Sequence, residues 1–477
     1  MYLFKYFFFC MLTVTFLISL HAENDSVHID ITAQNLKGKK ILLGSYFNGK
    51  VLIIDSLYLS SEGTGVFRKK DKYPEGEYLL HLLIDTVKLH ARTIQFLLAA
   101  EQVFSITIDT TDYLGITKIS GAKQTEALLN YSRFLQAKQK ERNLLIDELK
   151  ILQESRQDTA KVKSQLDVLN KEVKQYQEHL AGEYKGKWVA SFLQGVEPPS
   201  AGTYFVPASR EEYEKEFRYQ KNHFFDNIDL QDSRFWRTSY FPQKINEYME
   251  KWVEPNPDSL AHAASRLVAK TMGDSICFNL MFNRLMNYSL SNKKMGSENI
   301  WMKLMEDYYH TGWINRLDFA EREQLDTEYQ WLKNNRIGQQ AKNLDLLNID
   351  NKPVNLYQLG EKYTLLYFYD PTCYHCMEMT RNLYGIIYKK YAGKGLDVVA
   401  MCIMKDENEW IAYIHKNQFE GEHWHNVWDP SEKSFFWLYY DTRSTPVMYV
   451  LDENKKIIAK KIDIDSLNKL FDWLLSG

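Results

Sequence analysis

The sequence predicts a multidomain protein with an N-terminal antiparallel β domain, an α-helical middle and a C-terminal α/β domain. Its 477 residues are 45% hydrophobic and 25% charged, which is enough apolar material for about three cores. Apolar residues alternate with period two as far as about residue 120 and then recur at helical spacing to about residue 336. Strands and helices alternate after that point. We therefore predict domains at residues 23–120, 121–336 and 337–477.

The charge balance excludes one class of partner. The 59 Lys and Arg residues nearly offset the 62 Asp and Glu residues, so the formal net charge is -3. Such a balance gives no basic field that would attract phosphates. The chain also has no phosphate-binding glycine loop of the Walker or dinucleotide type. We expect neither nucleic acid nor nucleotide as a partner.

Residues 1–22 have the pattern of a secretory signal peptide. Lys5 supplies the positive start, residues 7–20 form an apolar run, and Ala22 is the small residue at the expected cleavage site. The apolar run is shorter than the roughly 20 residues that a membrane-spanning helix needs. We expect export to the periplasm or cell envelope, and whether the signal is cleaved stays open.

Four cysteines lie beyond the signal segment: Cys277, Cys373, Cys376 and Cys402. Exported proteins reach a compartment where thiols can be oxidised, but four cysteines are too few to staple a chain of this size. A disulfide in this protein is therefore expected to be redox-active rather than structural.

The first domain reads as a set of short strands joined by turns. The segment 27–31 alternates apolar and polar residues, as strands with one buried face do. Asn48-Gly49 stands between two apolar runs, and this pair favours a two-residue hairpin turn because both positions need positive φ. We predict a hairpin at this point.

The middle domain is helical. Apolar residues between 162 and 180 follow one another at spacings of three and four, which places them on one stripe of a helix. We expect this stripe to pack against a neighbouring helix, with a partner-binding coiled coil as the alternative. Residues 197–202 have the composition of a loop.

The last domain alternates strands with helices. The predicted strands are 364–369, 396–404, 447–451 and 456–460, and the predicted helices are 374–391, 407–417 and 466–475. The order predicts a mixed α/β domain.

A Cys-x-x-Cys motif joins the first of these strands to the first helix. At a helix N-terminus the free backbone N–H groups and the helix dipole favour a thiolate, so Cys373 is the candidate nucleophile. Cys376 lies one turn further on, where its sulfur can reach Cys373 and release a mixed disulfide. His375 stands between them, where it can depress the pKa of the nucleophile further. Asp370 is expected to help the turn and, with Thr372, to cap the helix, with proton relay to Cys376 as the alternative.

The order of elements in residues 337–477 resembles the thioredoxin superfamily. The match rests on the strand before Cys373, the Cys-x-x-Cys helix, and Thr445-Pro446 ahead of a strand. Ile337-Gly338 and the segment 393–400 look like the TlpA-like and ResA-like branch of bacterial envelope thioredoxins. The resemblance implies a thioredoxin-like fold in which Pro446 is cis and, with Thr445, presents the backbone of a client protein to the cysteines.

The motif departs from thioredoxin itself in two places. Thr372 stands where thioredoxin has Trp, and Tyr374-His375 replaces Gly-Pro between the cysteines. A His before the second cysteine resembles the disulfide-donating DsbA type, whereas the rest of the domain resembles reducing envelope proteins. The direction of electron flow therefore stays open between reductase, oxidase and isomerase.

The first two domains also resemble regions of known proteins, but these resemblances imply no activity. Gly76-Glu77-Tyr78 and the closing segment 119–121 look like the β-rich domain of unknown function found ahead of many envelope thioredoxins. The helical middle is similar to the spacer present in some of them.

Metal binding is the other chemistry that these residues allow. The cysteine pair could form half of a zinc site completed by Cys402 or by His423 and His425, and the two histidines could bind a metal on a strand face. We expect no metal, because a second Cys-x-x-Cys is absent from the sequence and Thr445-Pro446 would be unexplained. Cys402 and Cys277 are expected to be buried thiols.

The sequence thus predicts a periplasmic thiol-disulfide oxidoreductase that acts on client proteins with thiols or disulfides. Reduction or isomerisation is the expected reaction, and oxidation is the nearest alternative. No organic cofactor is implied, because the cysteine pair carries both electrons. A redox partner protein of the envelope is expected to restore the pair. The alternatives are a redox-sensing or partner-binding protein whose first two domains do the main job, and a cysteine-based carrier of copper or zinc.

Overall fold

The computed structural model describes residues 27–85, 90–112, 114–196, 209–292, 294–315 and 317–476. The predicted signal peptide and the predicted loop at 197–202 lie outside the described residues. The chain divides into two compact units, of which the first ends at Lys244 and the second begins at Ile245. This division falls within the predicted helical domain, and the domain limits at 120 and 336 stay predictions.

The first unit begins with two four-stranded sheets. Its strands are β1 (Val27–Thr32), β2 (Lys40–Phe47), β3 (Lys50–Tyr58), β4 (Thr64–Lys69), β5 (Gly76–Asp85), β6 (His90–Leu98), β7 (Val103–Ile108) and β8 (Ile116–Ser120). The sheet orders are β4-β1-β7-β8 and β3-β2-β5-β6. Paired strands are antiparallel, as predicted, except that β1 and β7 are parallel. Inward-facing residues of both sheets, such as Ile29 and Leu80, form one core.

The hairpin predicted at Asn48-Gly49 is confirmed. Phe47 pairs with Lys50, so the two residues between them form the whole turn. Both have positive φ, 48° for Asn48 and 78° for Gly49. This is the backbone that a two-residue turn between twisted strands requires.

Helices follow the strands. They are α1 (Lys123–Glu154), α2 (Ala160–Glu183), α3 (Trp188–Val196) and α4 (Arg210–His223). The predicted apolar stripe lies on α2, where Leu169 and Leu180 are buried. Tyr176 on the same stripe stacks on Phe134 of α1, with ring centroids 4.5 Å apart. The stripe therefore packs against a neighbouring helix, as expected.

A second group of helices precedes the α/β domain. They are α5 (Phe241–Glu247), α6 (Pro257–Ala269), α7 (Ser275–Ser291), α8 (Glu298–Leu304) and α9 (Phe319–Leu332). Cys277 on α7 is fully buried, as expected. Helix α9 begins with a capping box in which Asp318 and Glu321 satisfy each other's backbone N–H groups. In the described part of the chain, no helix combines the length and the hydropathy needed to cross a membrane.

The α/β domain is built on a single sheet. Its strands are β9 (Leu346–Asn348), β10 (Pro353–Val354), β11 (Tyr363–Tyr369), β12 (Leu396–Cys402), β13 (Trp424–Trp428), β14 (Val447–Leu451) and β15 (Ile457–Lys460). Their order is β10-β9-β13-β12-β11-β14-β15. Strands β11, β12 and β13 are parallel, whereas β14 runs antiparallel to β11.

Helices cover this sheet. They are α10 (Tyr374–Asn382), α11 (Lys389–Tyr391), α12 (Glu407–Asn417), α13 (Phe436–Tyr439) and α14 (Ile464–Leu474). A π-helical turn over Leu383–Tyr388 joins α10 to α11, so the helix predicted at 374–391 is continuous. All residues of β11 and β12 are buried because both faces of the central sheet are covered. The site lies at the carboxyl end of β11.

Candidate functional site

A tight turn links β11 to α10 and sets the position of the first cysteine. One carboxylate oxygen of Asp370 accepts hydrogen bonds from the backbone N–H (2.8 Å) and the hydroxyl (2.6 Å) of Thr372. The N–H of Cys373 donates to the carbonyl of Asp370 at 3.1 Å. Cys373 is itself the N-cap residue of α10. The expected cap by Asp370 and Thr372 is therefore corrected, because these two residues stabilise the turn before the helix.

Cys373 is partly exposed, and its surroundings favour the thiolate. Its pKa is lowered, first by a hydrogen bond from the backbone N–H of Cys376, then by the thiol of Cys376, and also by the backbone N–H of His375. The negative charge of Asp370 acts in the opposite direction. A sulfur at the start of a helix, close to unpaired N–H groups, is stabilised as an anion.

Cys376 lies behind it and differs in both exposure and acidity. The residue is fully buried, and burial raises the pKa of its thiol to about 11. Hydrogen bonds from the backbone of Asp370 and the side chain of Thr445 only partly offset this effect. The pair thus combines one accessible thiol of lowered pKa with one buried thiol that stays protonated.

His375 is exposed on the first turn of α10. Its ring lies edge-on to the ring of Tyr374, with centroids 5.8 Å apart. The contribution of His375 to the pKa of Cys373 comes from its backbone N–H. The sequence predicted that His375 could lower the pKa of Cys373, and the structure shows that a hydrogen bond from its backbone N–H does so.

The loop before β14 brings Thr445 and Pro446 to the cysteines. The Thr445-Pro446 peptide bond is cis, and the Thr445 side chain hydrogen-bonds to Cys376. A cavity of about 550 Å³ lies beside this bond, and its walls include Met379, Arg443 and Pro446.

Two hydroxyl groups that sequence reasoning missed support the start of α10. The hydroxyl of Thr380 donates to the carbonyl of Cys376 at 2.7 Å. The hydroxyl of Tyr367 on β11 lies 2.9 Å from that of Thr380 and 3.2 Å from the same carbonyl. The available signal was spacing, since Thr380 lies one helical turn after Cys376 and therefore on the same face.

The remaining candidate residues are not part of this arrangement. Cys402 is buried, as expected, and burial raises the pKa of its thiol to about 12. His423 and His425 lie at the amino ends of the parallel strands, where both contact the same carboxylate oxygen of Asp397. This position excludes the zinc site that would combine these histidines with the cysteine pair. Among the described residues, no three His, Cys, Asp or Glu side chains are grouped as a metal site.

Two family models match the chain. Residues 360–457 match a family described as thioredoxin-like, and this range includes Cys373, Cys376 and Pro446. Residues 196–335 match a domain of unknown function, DUF5106, which covers much of the helical region. None of the curated proteins compared matches the chain.

Solved structures also match, most of them over about 30% of this chain. A domain of a possible thiol-disulfide isomerase from Cytophaga hutchinsonii is 36% identical, covers 29% of this chain and 92% of that chain, and has a TM-score of 0.27. A thioredoxin-like protein from Bacteroides caccae is 19% identical, covers 56% of this chain and 97% of that chain, and has a TM-score of 0.40. The thioredoxin domain of a thiol-disulfide oxidoreductase from Bacteroides vulgatus is 21% identical, covers 29% of this chain and 97% of that chain, and has a TM-score of 0.27.

The fold and the family match define the class of the last domain. It is a thioredoxin-like α/β domain, preceded by a β domain and a helical region. This class, together with a cysteine pair at the start of a helix, supports a general redox function. The match of the helical region to DUF5106 adds no activity.

Proposed function

We propose that the protein is a thiol-disulfide oxidoreductase of the periplasm or cell envelope, of the TlpA-like and ResA-like kind, that reduces disulfides in client proteins. The observation that carries the proposal is the difference between the two thiols. Cys373 is accessible with a lowered pKa, whereas Cys376 is buried with a raised one. An attacking thiol and a resolving thiol need this division of properties.

The reaction takes place in two exchanges. The Cys373 thiolate attacks one sulfur of a client disulfide, whose S–S bond breaks as the second client sulfur leaves and takes up a proton. Cys376 then loses its proton and attacks the sulfur of Cys373, so that the Cys373–Cys376 disulfide forms and the first client sulfur is released as a thiol. The client gains two electrons and two protons. An envelope redox partner restores the pair by the reverse sequence.

The surrounding residues have supporting roles in this scheme. Thr445 and Pro446 present the client backbone to Cys373, and the Thr445 side chain also contacts the resolving thiol. His375 contributes the N–H that lowers the pKa of the nucleophile. No organic cofactor is needed because the cysteine pair carries both electrons.

The redox equilibrium of the full chain with glutathione tests the proposal. The state of Cys373 and Cys376 is followed by thiol labelling and mass spectrometry, with Cys402 and Cys277 as buried internal references. A potential near or below roughly -250 mV supports a reductase, whereas one near -120 mV would indicate an oxidase. If no disulfide forms at any ratio of glutathione to its disulfide, the proposal is wrong.

A further inference from the structure

Arg443 stands three residues before Pro446 and is held by two carboxylates. Its guanidinium donates to Glu328 through two nitrogens, at 2.7 and 3.1 Å. The same group donates to Asp441 at 2.7 and 2.9 Å. An aromatic ring covers one face, since the guanidinium carbon lies 5.1 Å from the ring centroid of Trp331. Two-nitrogen pairing and stacking together fix the orientation of a planar cation.

The inner carboxylate anchors this arrangement to the domain. Asp441 is only 3% exposed, and it also accepts a hydrogen bond from Lys461 at 2.7 Å. Burial opposes its ionisation, but the hydrogen bonds from Arg443 and Lys461 outweigh this effect and hold the pKa of the carboxyl well below its usual range. Arg443 is therefore paired with a carboxylate that stays charged.

The outer contacts come from the helix that precedes the α/β domain. Glu328 and Trp331 are three residues apart on α9, so they share one face of that helix. Just after α9, the side-chain amide of Asn334 donates to the carbonyl of Leu438 at 2.7 Å. Residues at the end of α9 and just after it thus contact the segment 438–443 at both the start and the end of that segment.

That segment leads directly into the candidate site. Residues 441–446 have no regular secondary structure, so side-chain contacts decide where Thr445 and Pro446 lie. Arg443 also forms part of the wall of the cavity beside Pro446. A change in the position of Arg443 would therefore alter both the loop and the shape of the cavity in which we place the client.

We propose that Glu328 and Trp331 are positioning residues for client binding, which act through Arg443 on the loop that carries Thr445 and Pro446. The inference rests on the proposed oxidoreductase function and gives the helical region a part in it. A positioning role affects the reaction with a protein client and leaves the reaction of Cys373 with a small reagent unchanged.

The test compares two variants of α9 in the full chain. Glu328→Gln removes the charge that faces Arg443, whereas Asp326→Asn removes a charge from an exposed residue of the same helix that pairs with His310. For each variant we measure kcat and KM for the reduction of insulin, a small disulfide-containing protein, with dithiothreitol supplying the electrons that restore the Cys373–Cys376 pair. Cys373 alkylation by iodoacetamide and the reduction potential are measured alongside.

We expect Glu328→Gln to raise KM for insulin about fivefold and to leave the alkylation rate of Cys373 at its original value. Trp331→Leu is expected to act in the same direction, Glu328→Asp to regain part of the loss, and Asp326→Asn to match the original chain. The inference is overturned if Glu328→Gln and Asp326→Asn give equal KM values, or if alkylation slows by the same factor as insulin reduction. Absence of insulin reduction by the unaltered chain would instead overturn the proposed function, and this inference with it.

Discussion

The two ends of the central sheet carry different clusters of titratable side chains. At the carboxyl end of β11, Cys373 is accessible and its sulfur receives mainly backbone N–H groups. At the amino end of β12, the Asp397 side chain is only 4% exposed and its carboxylate accepts from His425 at 2.9 Å and His423 at 3.1 Å. The first cluster leaves the Cys373 sulfur accessible. In the second, the Asp397 carboxylate is already occupied by hydrogen bonds from neighbouring residues. Polar clustering alone therefore does not mark a reactive site.

The largest expected effect separates the two cysteines at the reactive end. Cys373→Ser should lower the rate of disulfide exchange by more than about a thousandfold, because the attacking sulfur is gone. Cys376→Ser keeps that sulfur but cannot resolve the adduct, so a mixed disulfide with the client should accumulate. Intact-mass measurement of the reaction mixtures distinguishes the two results.

The matched control for this pair is Cys402→Ala, which removes a buried thiol of the same domain. It should exchange disulfides at the original rate. Mixed disulfide on the Cys373→Ser variant rather than on the Cys376→Ser variant would reverse the roles proposed for the two residues.

The opposite end of the sheet should respond in stability and not in redox chemistry. Asp397→Asn removes the negative charge and one of the two acceptor oxygens. The carboxylate accepts from two imidazoles through Oδ1 and from the N–H of Glu361 through Oδ2, at 3.1 Å. Loss of a buried charged acceptor should reduce the free energy of unfolding by about 1–3 kcal/mol near neutral pH. Denaturant unfolding measures this loss, and the alkylation rate of Cys373 should stay unchanged.

The same variant has a defined pH dependence. Burial raises the pKa of Asp397, but the hydrogen bonds from His425, Glu361 and His423 outweigh it, so the pKa lies below its ordinary value. The carboxylate therefore stabilises the fold above about pH 3.9, the value of an unfolded Asp, and this contribution is lost as the pH falls toward the folded pKa. The difference between Asp397→Asn and the original chain should shrink under acid conditions. A constant difference would show that the charge is not its cause.

An exposed ion pair provides the comparison for that experiment. Asp472→Asn removes the partner of Lys390 at the surface, where both side chains are about half exposed. Its effect on stability should be smaller than that of Asp397→Asn, because solvent and salt screen an exposed ion pair. An equal loss in the two variants would contradict the view that burial makes the Asp397 cluster important.

The contrast between the two ends also explains what the sequence could predict. The link from strand to Cys373 and on to α10 is local, since a buried apolar run, a turn and a helix follow one another within a few residues. Its position was predicted correctly, but the sequence prediction missed strand β13, which lies between α12 and β14 in the chain. The contacts of Asp397 depend on the parallel pairing of β12 with β13, where Val399 lies beside His425. No local pattern shows that register.

Other parts of the site could not be predicted because the residues that form them are far apart in the sequence. Arg443 and Glu328 are 115 residues apart, and a charged residue on an exposed helix face gives no indication of its partner. The effect of Thr445 on Cys376 likewise depends on how the loop before β14 meets α10. The residues that carry the chemistry were therefore predictable from local pattern, whereas those that hold them in place depend on tertiary contacts.

A smaller effect concerns the acidity of the exposed thiol. Because its pKa is lowered, the alkylation of Cys373 should reach half its maximal rate below about pH 8.5, the pKa of a free thiol. The Cys376→Ala variant loses the S–H donor but keeps the backbone N–H, which is the larger cause. In this variant, the pH at which Cys373 alkylation is half-maximal should therefore rise only part of the way toward the pKa of a free thiol. A full return to the free-thiol value would assign the effect to the Cys376 side chain.

The smallest expected effect concerns the hydroxyl groups behind the cysteine pair. Thr380→Val removes the donor to the carbonyl of Cys376, while Tyr367 keeps that carbonyl within 3.2 Å. One neutral hydrogen bond is worth about 1 kcal/mol, so unfolding should become easier by about that amount. The pH at which Cys373 alkylation is half-maximal should not move, because neither hydroxyl is among the groups that lower the pKa of this thiol. A shifted midpoint would mean that the start of α10 has moved, and that the reactive end of the sheet depends on buried support as much as the Asp397 end does.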